Sequence, residues 1–511
     1  HQIANSVRFD RPNASKMSRS LGTATANTKW TFSTWVKFSS FPAGTTDDRC
    51  LLGATGSTYS LGLGLTSSTA NEPQLLFIDY PSSAAGPNAG GIQSLVYLKR
   101  LSRDLNAWQH IVVNQDTTQG TASDRIKFYI NGELQTDFDD HSSGGSATPF
   151  YPSQNSATIN DSIHTLLVGV DNADNAANTL DGYMAETYFI DGTAYAGSDF
   201  GETKNGVWIP KDASGLTFGN NGFYLNYASS GDLGNDVSGN NNDYTVANIS
   251  AHDQMLDSPT FNSSSNGGNF CTYNPLNAGS YATLSEGNLK ALGNTSSDIA
   301  MPSGTFAMTS GKWYFERLIA NESSGYPYLG LAAIGNVAYN TNTGGDIWAM
   351  RFAPAAGTVA ANGTAANVAG FGTITATSTG LATATTGDII GFHLDLDNRK
   401  CWITKNGAFV NSGDPSTGTN PQWSWTETPN NPISFIDQVY NGTGSILNAG
   451  QDGTFAGEKT AQGNSDDTGY GNFYYDPPTG FLALCSGNLP VADEVDPAQT
   501  DDAYPSKVFS A

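Results

Sequence analysis

Short runs rich in Val, Ile, Tyr, Phe, Trp and Thr, each ended by a turn cluster, make up most of this sequence. Within them apolar residues recur at every second position, and nowhere do they sustain the i, i+3, i+4, i+7 spacing of a helix. Many such runs at close intervals predict an all-β sandwich rather than a helical or mixed fold. The 57 glycines and 22 prolines supply the reversals that so many strands require. At 511 residues the chain exceeds one ordinary core, and two domains of roughly 200 residues with a linker are expected.

In the first part, residues 1–227, the run from Trp30 to Phe38 sets Trp30, Phe32, Thr34, Val36 and Phe38 on one face, read as the core side. Thr31, Ser33, Trp35 and Lys37 take the other face. Further strands are read at 107–114, 125–134, 166–170 and 180–190, with Phe223–Tyr227 as a last strand. Asn131-Gly132 supplies the positive-φ pair of a tight hairpin.

These motifs resemble the laminin G-like, concanavalin A-like jelly-roll family. A Trp-containing strand (Trp30, Trp35) is followed by Trp108-x-His110, then Tyr129-x-Asn131-Gly132, then Leu180-Asp-Gly-x-x-x-Glu186. The resemblance implies a β-sandwich in which Trp30, Trp35, Trp108 and Tyr129 belong to the core. His110 has no His or Cys near it in sequence and reads as a packed histidine.

Residues 228–269 are rich in Gly, Asn, Ser and Asp and read as a linker. The second domain is read at 270–490. Gly311-Lys-Trp-Tyr-Phe-Glu316 opens a strand, and Gly387–Asp397 has a clear period of two. There Ile390, Phe392, Leu394 and Leu396 form the apolar face, while Gly391, His393, Asp395 and Asp397 form the wetter one. Lys405-Asn-Gly407 makes a second hairpin, and Pro477-Pro-Thr-Gly-Phe481 precedes the close. This order resembles the SPRY family, which implies a second concanavalin A-like sandwich. A long Ala/Thr/Gly-rich insert between Asn336 and Gly387 departs from that pattern. Residues 491–511 read as an acidic tail or linker.

The tandem, with Asp181–Gly192, Gly206–Lys211, Asn221–Asn226 and Asp236–Asn242 between its halves, resembles tail-fibre or virion-appendage proteins of marine bacteriophages. That resemblance implies a location on the virion surface, or otherwise outside the cell. It also implies attachment to a host-surface glycan or receptor and contact with other virion proteins. Fibres of this kind are often trimers, and no heptads or fibrous repeats here would themselves build one.

The formal net charge of −24 argues against nucleic acid as a partner and against an anionic membrane surface. No apolar run reaches the length of a membrane-spanning helix. Cys50, Cys271, Cys401 and Cys485 are widely spaced, lack any Cys-x-x-Cys, and read as buried thiols. Catalytic residues are not found. Retaining glycanases need two carboxylates close together, seen on a strand as Glu-x-Asp-x-Glu or Glu-x-Asp-x-x-Glu, and neither occurs. A nucleophile elbow, a zinc-protease motif and a P-loop are absent too.

Binding is therefore the leading expectation. Aromatic residues in loops can stack on sugar rings while Asn or Asp takes the hydroxyls. Tyr80, Tyr339, Asp346, Trp348, Trp423 and Trp425 are the candidates. Asp171, Asp174 and Asn175 offer hard oxygen ligands suited to Ca²⁺, the one cofactor considered. A decoration or adhesin-like protein making only protein–protein contacts is the alternative, and a secreted glycan-active enzyme comes third.

Overall fold

A computed structural model of the chain describes residues 1–489 except 45–46, 57–58, 68–71, 81–92, 140–141, 144–145, 148, 161, 173–175, 262–265, 324, 334–339, 342–348, 362–370, 378–380 and 428–430. The described chain is all-β, with helical geometry only in single 3₁₀ turns. It divides into two compact units, His1–Thr260 and Phe261–Leu489.

The first unit is a sandwich of two antiparallel sheets. One runs Glu133–Gln135, Ile126–Ile130, Gln109–Asp116, Lys29–Phe38, Gly182–Asp191, Ser6–Phe9 and Gln254–Met255, with Phe223–Leu225 also pairing with Gly182–Asp191. The other runs Thr245–Ala247, Lys16–Ser20, Thr165–Val168, Arg49–Gly56, Tyr59–Ser67, Pro73–Tyr80 and Ser94–Leu101. Trp30, Phe32, Val36 and Phe38 face inward as their alternation predicts, onto Leu52, Leu63, Leu75, Phe77 and Leu166 from the opposing sheet. Asn131 (φ 48°) and Gly132 (φ 79°) make the expected hairpin turn. Only glycine fits the second position, because a Cβ there would lie 2.3 Å from the Trp208 ring.

The structure departs from the sequence reading in two ways. First, the face assigned to solvent is covered. Trp35 packs with Ile3, Ala185, Trp108 and Trp208, and Tyr188, Phe200, Phe218 and Tyr224 form a satellite core on the same sheet. Second, residues 228–260 are part of the first unit rather than a linker. The segment contributes two strands, and Tyr244, Ile249 and Met255 are buried. Two buried ion pairs hold it down: Asp253 meets Arg8 at 2.9 Å and Asp257 meets Lys37 at 2.6 Å. Its Asn and Asp side chains replace apolar contacts with hydrogen bonds. Asp236 accepts from the Tyr224, Ser238 and Asn242 backbone N–H groups, and Asn242 Nδ2 donates to Asn220 O and Gly222 O.

In the second unit the larger sheet runs Ala282–Ser285, Lys290–Gly293, Gly444–Asn448, Lys312–Asn321, Ile389–Asp395, Lys400–Lys405, Trp423–Trp425 and Ile374–Ala376. The smaller runs Thr358–Ala361, Met350–Ala353, Tyr328–Ala333 and Ile433–Gln438. Ile390, Phe392, Leu394 and Leu396 join the core as their spacing predicts. The opposite face of that strand is not wet: His393 and Asp395 are buried. Phe473 packs on Tyr314 and Phe481 on His393, so the segment after Asn448 covers the sheet. Glu316 anchors that cover, accepting from the Tyr474 and Tyr475 N–H groups at 2.9 and 2.7 Å. Between the sheets Arg317 and Asp437 form a fully buried pair, with the guanidinium 4.7–5.3 Å from the rings of Phe315, Phe392 and Phe435. The four cysteines are buried and free.

Candidate functional site

The residues proposed from sequence as a ligand platform do not assemble into one. Trp423 and Trp425 are buried in the second core. Trp423 lies nearly parallel to Phe392 and donates its indole N–H to Ala360 O at 3.0 Å, and Trp425 packs edge-on against Phe371. Both belong to a strand of the larger sheet, and the alternation of Trp423, Ser424 and Trp425 turns both rings inward. Tyr80 ends the Pro73–Tyr80 strand, and its side chain lies outside the described residues. Tyr339, Asp346 and Trp348 also lie outside them.

Of the expected Ca²⁺ ligands, Asp174 and Asn175 are outside the described residues. Asp171 is half-buried and accepts from Asn178 Nδ2 at 2.7 Å. Nearby, burial together with the Asp171 charge pushes the Asp48 carboxyl up to about 6. Among the described residues no group of three or more His, Cys, Asp or Glu side chains could hold a metal ion.

Two arrangements in the first unit resemble catalytic ones and are structural. His110 Nε2 is 2.9 Å from Ser33 Oγ. Its Nδ1 accepts the Trp208 indole N–H at 3.1 Å, so the ring proton sits on Nε2 and points at the serine. An imidazole donating to serine is not poised to take its proton, and burial lowers the His110 pKa to about 3. Glu186 occupies a bulge with φ 51°, where the pairing with Lys29–Phe38 shifts register. Its buried carboxylate accepts from the Tyr188 and Tyr224 hydroxyls and lies 3.2 Å from His1 Nε2. Those donors make it an anchor for the covering loop.

A different group comes together on the outer face of the smaller sheet in the second unit. Tyr328, Gly330 and Ala332 alternate with the inward Leu329, Leu331 and Ala333. Gly330 stands opposite Arg351 on one neighbouring strand and Ile436 on the other, and Tyr328 stands opposite Gln438. Asp437, between Ile436 and Gln438, points inward to Arg317. Gly330 therefore leaves a shallow depression, walled by Met301, Tyr328, Arg351, Ile436 and Gln438. No other residue fits at 330, since a Cβ would come 2.3 Å from Met350 O.

Beside the depression three half-buried tyrosines stack. Tyr326 lies 4.7 Å from Tyr328 and 5.3 Å from Tyr440, centroid to centroid. The Tyr440 hydroxyl donates to Ser296 O, which fixes that ring. The Arg351 guanidinium lies 4.5 Å from the Tyr328 ring centroid, a cation–π contact. Gln438 is 4% exposed, and its Oε1 has no hydrogen-bond partner. Sequence reasoning missed this site because Tyr326-Pro-Tyr328 reads as the entry to an apolar strand. A tyrosine on the outward phase of that strand was the available signal.

No family model matches the chain, and no curated protein sequence matches it. Similar solved structures include the SPRY domain of human HERC1, at 17% identity over 34% of this chain and 96% of that one, with a TM-score of 0.24. A Bacteroides ovatus protein provisionally described as carbohydrate binding is similar at 14% identity over 49% of this chain and 60% of that one (TM-score 0.31). The SAP-like pentraxin of Limulus polyphemus is similar at 12% identity over 38% and 80%, respectively (TM-score 0.25). At these identities and scores the fold assignment rests on the strand order and registers described above.

Proposed function

We propose that the chain is a non-enzymatic binding protein, carried on the surface of a bacteriophage particle, whose second unit holds a host-surface glycan on the outer face of its smaller sheet. One observation carries the glycan reading. Tyr326, Tyr328 and Tyr440 present a stacked aromatic surface beside a depression with an unpartnered acceptor, Gln438 Oε1. Sugar rings offer a C–H face to aromatic rings and hydroxyl donors to such acceptors. The sandwich beneath supplies rigidity, because these residues stand on strands and their immediate flanks rather than on long loops. The particle location rests on the resemblance of the tandem motifs to virion appendage proteins.

The test is a glycan array probed with the full chain and with a Tyr328→Ala/Tyr440→Ala variant. Binding by the parent and at least tenfold weaker binding by the variant, with unchanged thermal unfolding, is the expected result. Tyr and Arg also dominate the centres of protein interfaces. Tight binding to another particle protein with no glycan bound at all would replace this reading with the protein–protein alternative.

A further inference from the structure

We infer that the ligand of this face is an acidic saccharide, one whose ring carries a carboxylate that Arg351 receives; the inference rests on reading the tyrosine face as a glycan site. The depression at Gly330 has three chemically distinct walls. Tyr328, extended by Tyr326, gives an aromatic plane. Gln438 gives a buried acceptor that lacks a donor. Arg351 gives a cation. A buried acceptor without a partner costs free energy unless a ligand or water brings it an O–H or N–H.

The cation decides between neutral and acidic sugars. The sequence has 47 acidic and 23 basic residues, so a cation at a ligand-sized depression runs against the bulk charge. A neutral sugar needs no such group. The nearest carboxylate in the wall, Asp437, is turned into the core. There it is held by Arg317 and by the Tyr273 and Ser445 hydroxyls. The local charge facing the depression is therefore that of the guanidinium. Stacked over Tyr328, the guanidinium plane is held in one orientation. That leaves its N–H edge to make paired, charge-assisted hydrogen bonds to a planar carboxylate. A uronic-acid or ulosonic-acid residue meets all three walls at once: a C–H face for the ring, a hydroxyl for Gln438 and a carboxylate for Arg351.

The experiment uses the full chain on an array of bacterial surface polysaccharides, each printed in native and in carboxyl-reduced form. Reduction turns the carboxylate into a primary alcohol and leaves sulfate and phosphate groups in place. The expected result is binding to carboxylated glycans that falls at least tenfold on reduction, about 1.4 kcal/mol. Arg351→Gln should show the same fall on the native glycans, and Arg351→Lys a smaller one. Equal binding to native and reduced forms, with both abolished by Tyr328→Ala, overturns the acidic-sugar inference and leaves the glycan reading standing. Binding that follows sulfate or phosphate and survives reduction overturns it as well. No binding to any glycan, or binding indifferent to Tyr328→Ala, overturns the glycan reading and this inference with it.

Discussion

Replacing Asp257 by Ala should destabilise the first unit alone, and by a large amount. Asp257 and Lys37 are both fully buried, with Nζ 2.6 Å from Oδ2. The other carboxylate oxygen accepts the Trp108 indole N–H at 2.8 Å. Asp257→Ala leaves an ammonium inside the protein without its carboxylate, a loss of about 3–5 kcal/mol for breaking a buried pair from one side. The orphaned indole donor adds about 1 kcal/mol. The sum, about 4–6 kcal/mol, is a large part of the roughly 5–15 kcal/mol that stabilises a domain. For a unit of this size it corresponds to a Tm lower by roughly 10–20 °C. Differential scanning calorimetry of the full chain reads it directly. One transition should fall, and it should not be the one displaced by Asp437→Ala in the second unit. Lys37→Met/Asp257→Leu, which removes both charges, should regain most of the loss. A fall below about 1 kcal/mol, or no recovery in the double variant, would refute the claim that residues 228–260 are latched into the first unit by buried charge.

Two further outcomes follow from the second unit. Burial pushes the Glu316 carboxyl up to about 7, against the downward pull of the Tyr474 and Tyr475 backbone donors. The folded pKa is above the unfolded one, so the stabilisation tied to its proton is complete below about 4.5 and is lost as pH rises through about 7, a change of about 3 kcal/mol. Urea midpoints measured across pH 4.5–8 should show this slope in the parent and not in Glu316→Gln; parallel profiles would contradict it. Trp423→Ala should cost about 3–5 kcal/mol in urea unfolding and leave glycan binding intact at permissive temperature. Unchanged stability with lost binding would return Trp423 to the role of ligand platform.

Strand positions and core faces were legible because period two is a local property. Trp30, Phe32, Val36 and Phe38, and likewise Ile390, Phe392 and Leu394, point where their spacing says. The outer faces were misread for a physical reason. Whether Trp35, Lys37, His393 or Asp395 meets water depends on what later chain is laid over them. Those covers are the segments 192–260 and 448–485, which are rich in polar residues and turn formers. Alternation carries no information about a cover brought from 200 residues away, as Asp257 is to Lys37. The candidate site failed to appear for a related reason. Its walls come from residues 301, 328, 351, 436 and 438, and only strand registers bring them together. Aromatic residues in polar surroundings, the criterion used on the sequence, selected Trp423 and Trp425. Their polar neighbours alternate with them on a strand, and both indoles turn into the core.

Oxidative footprinting of the tyrosines, with and without a glycan that binds the full chain, tests the central claim most directly. Protection of Tyr326, Tyr328 and Tyr440, with Tyr129 and Tyr195 of the first unit unchanged, is the predicted pattern. Protection confined to the first unit, or none at all in the presence of saturating glycan, would contradict it.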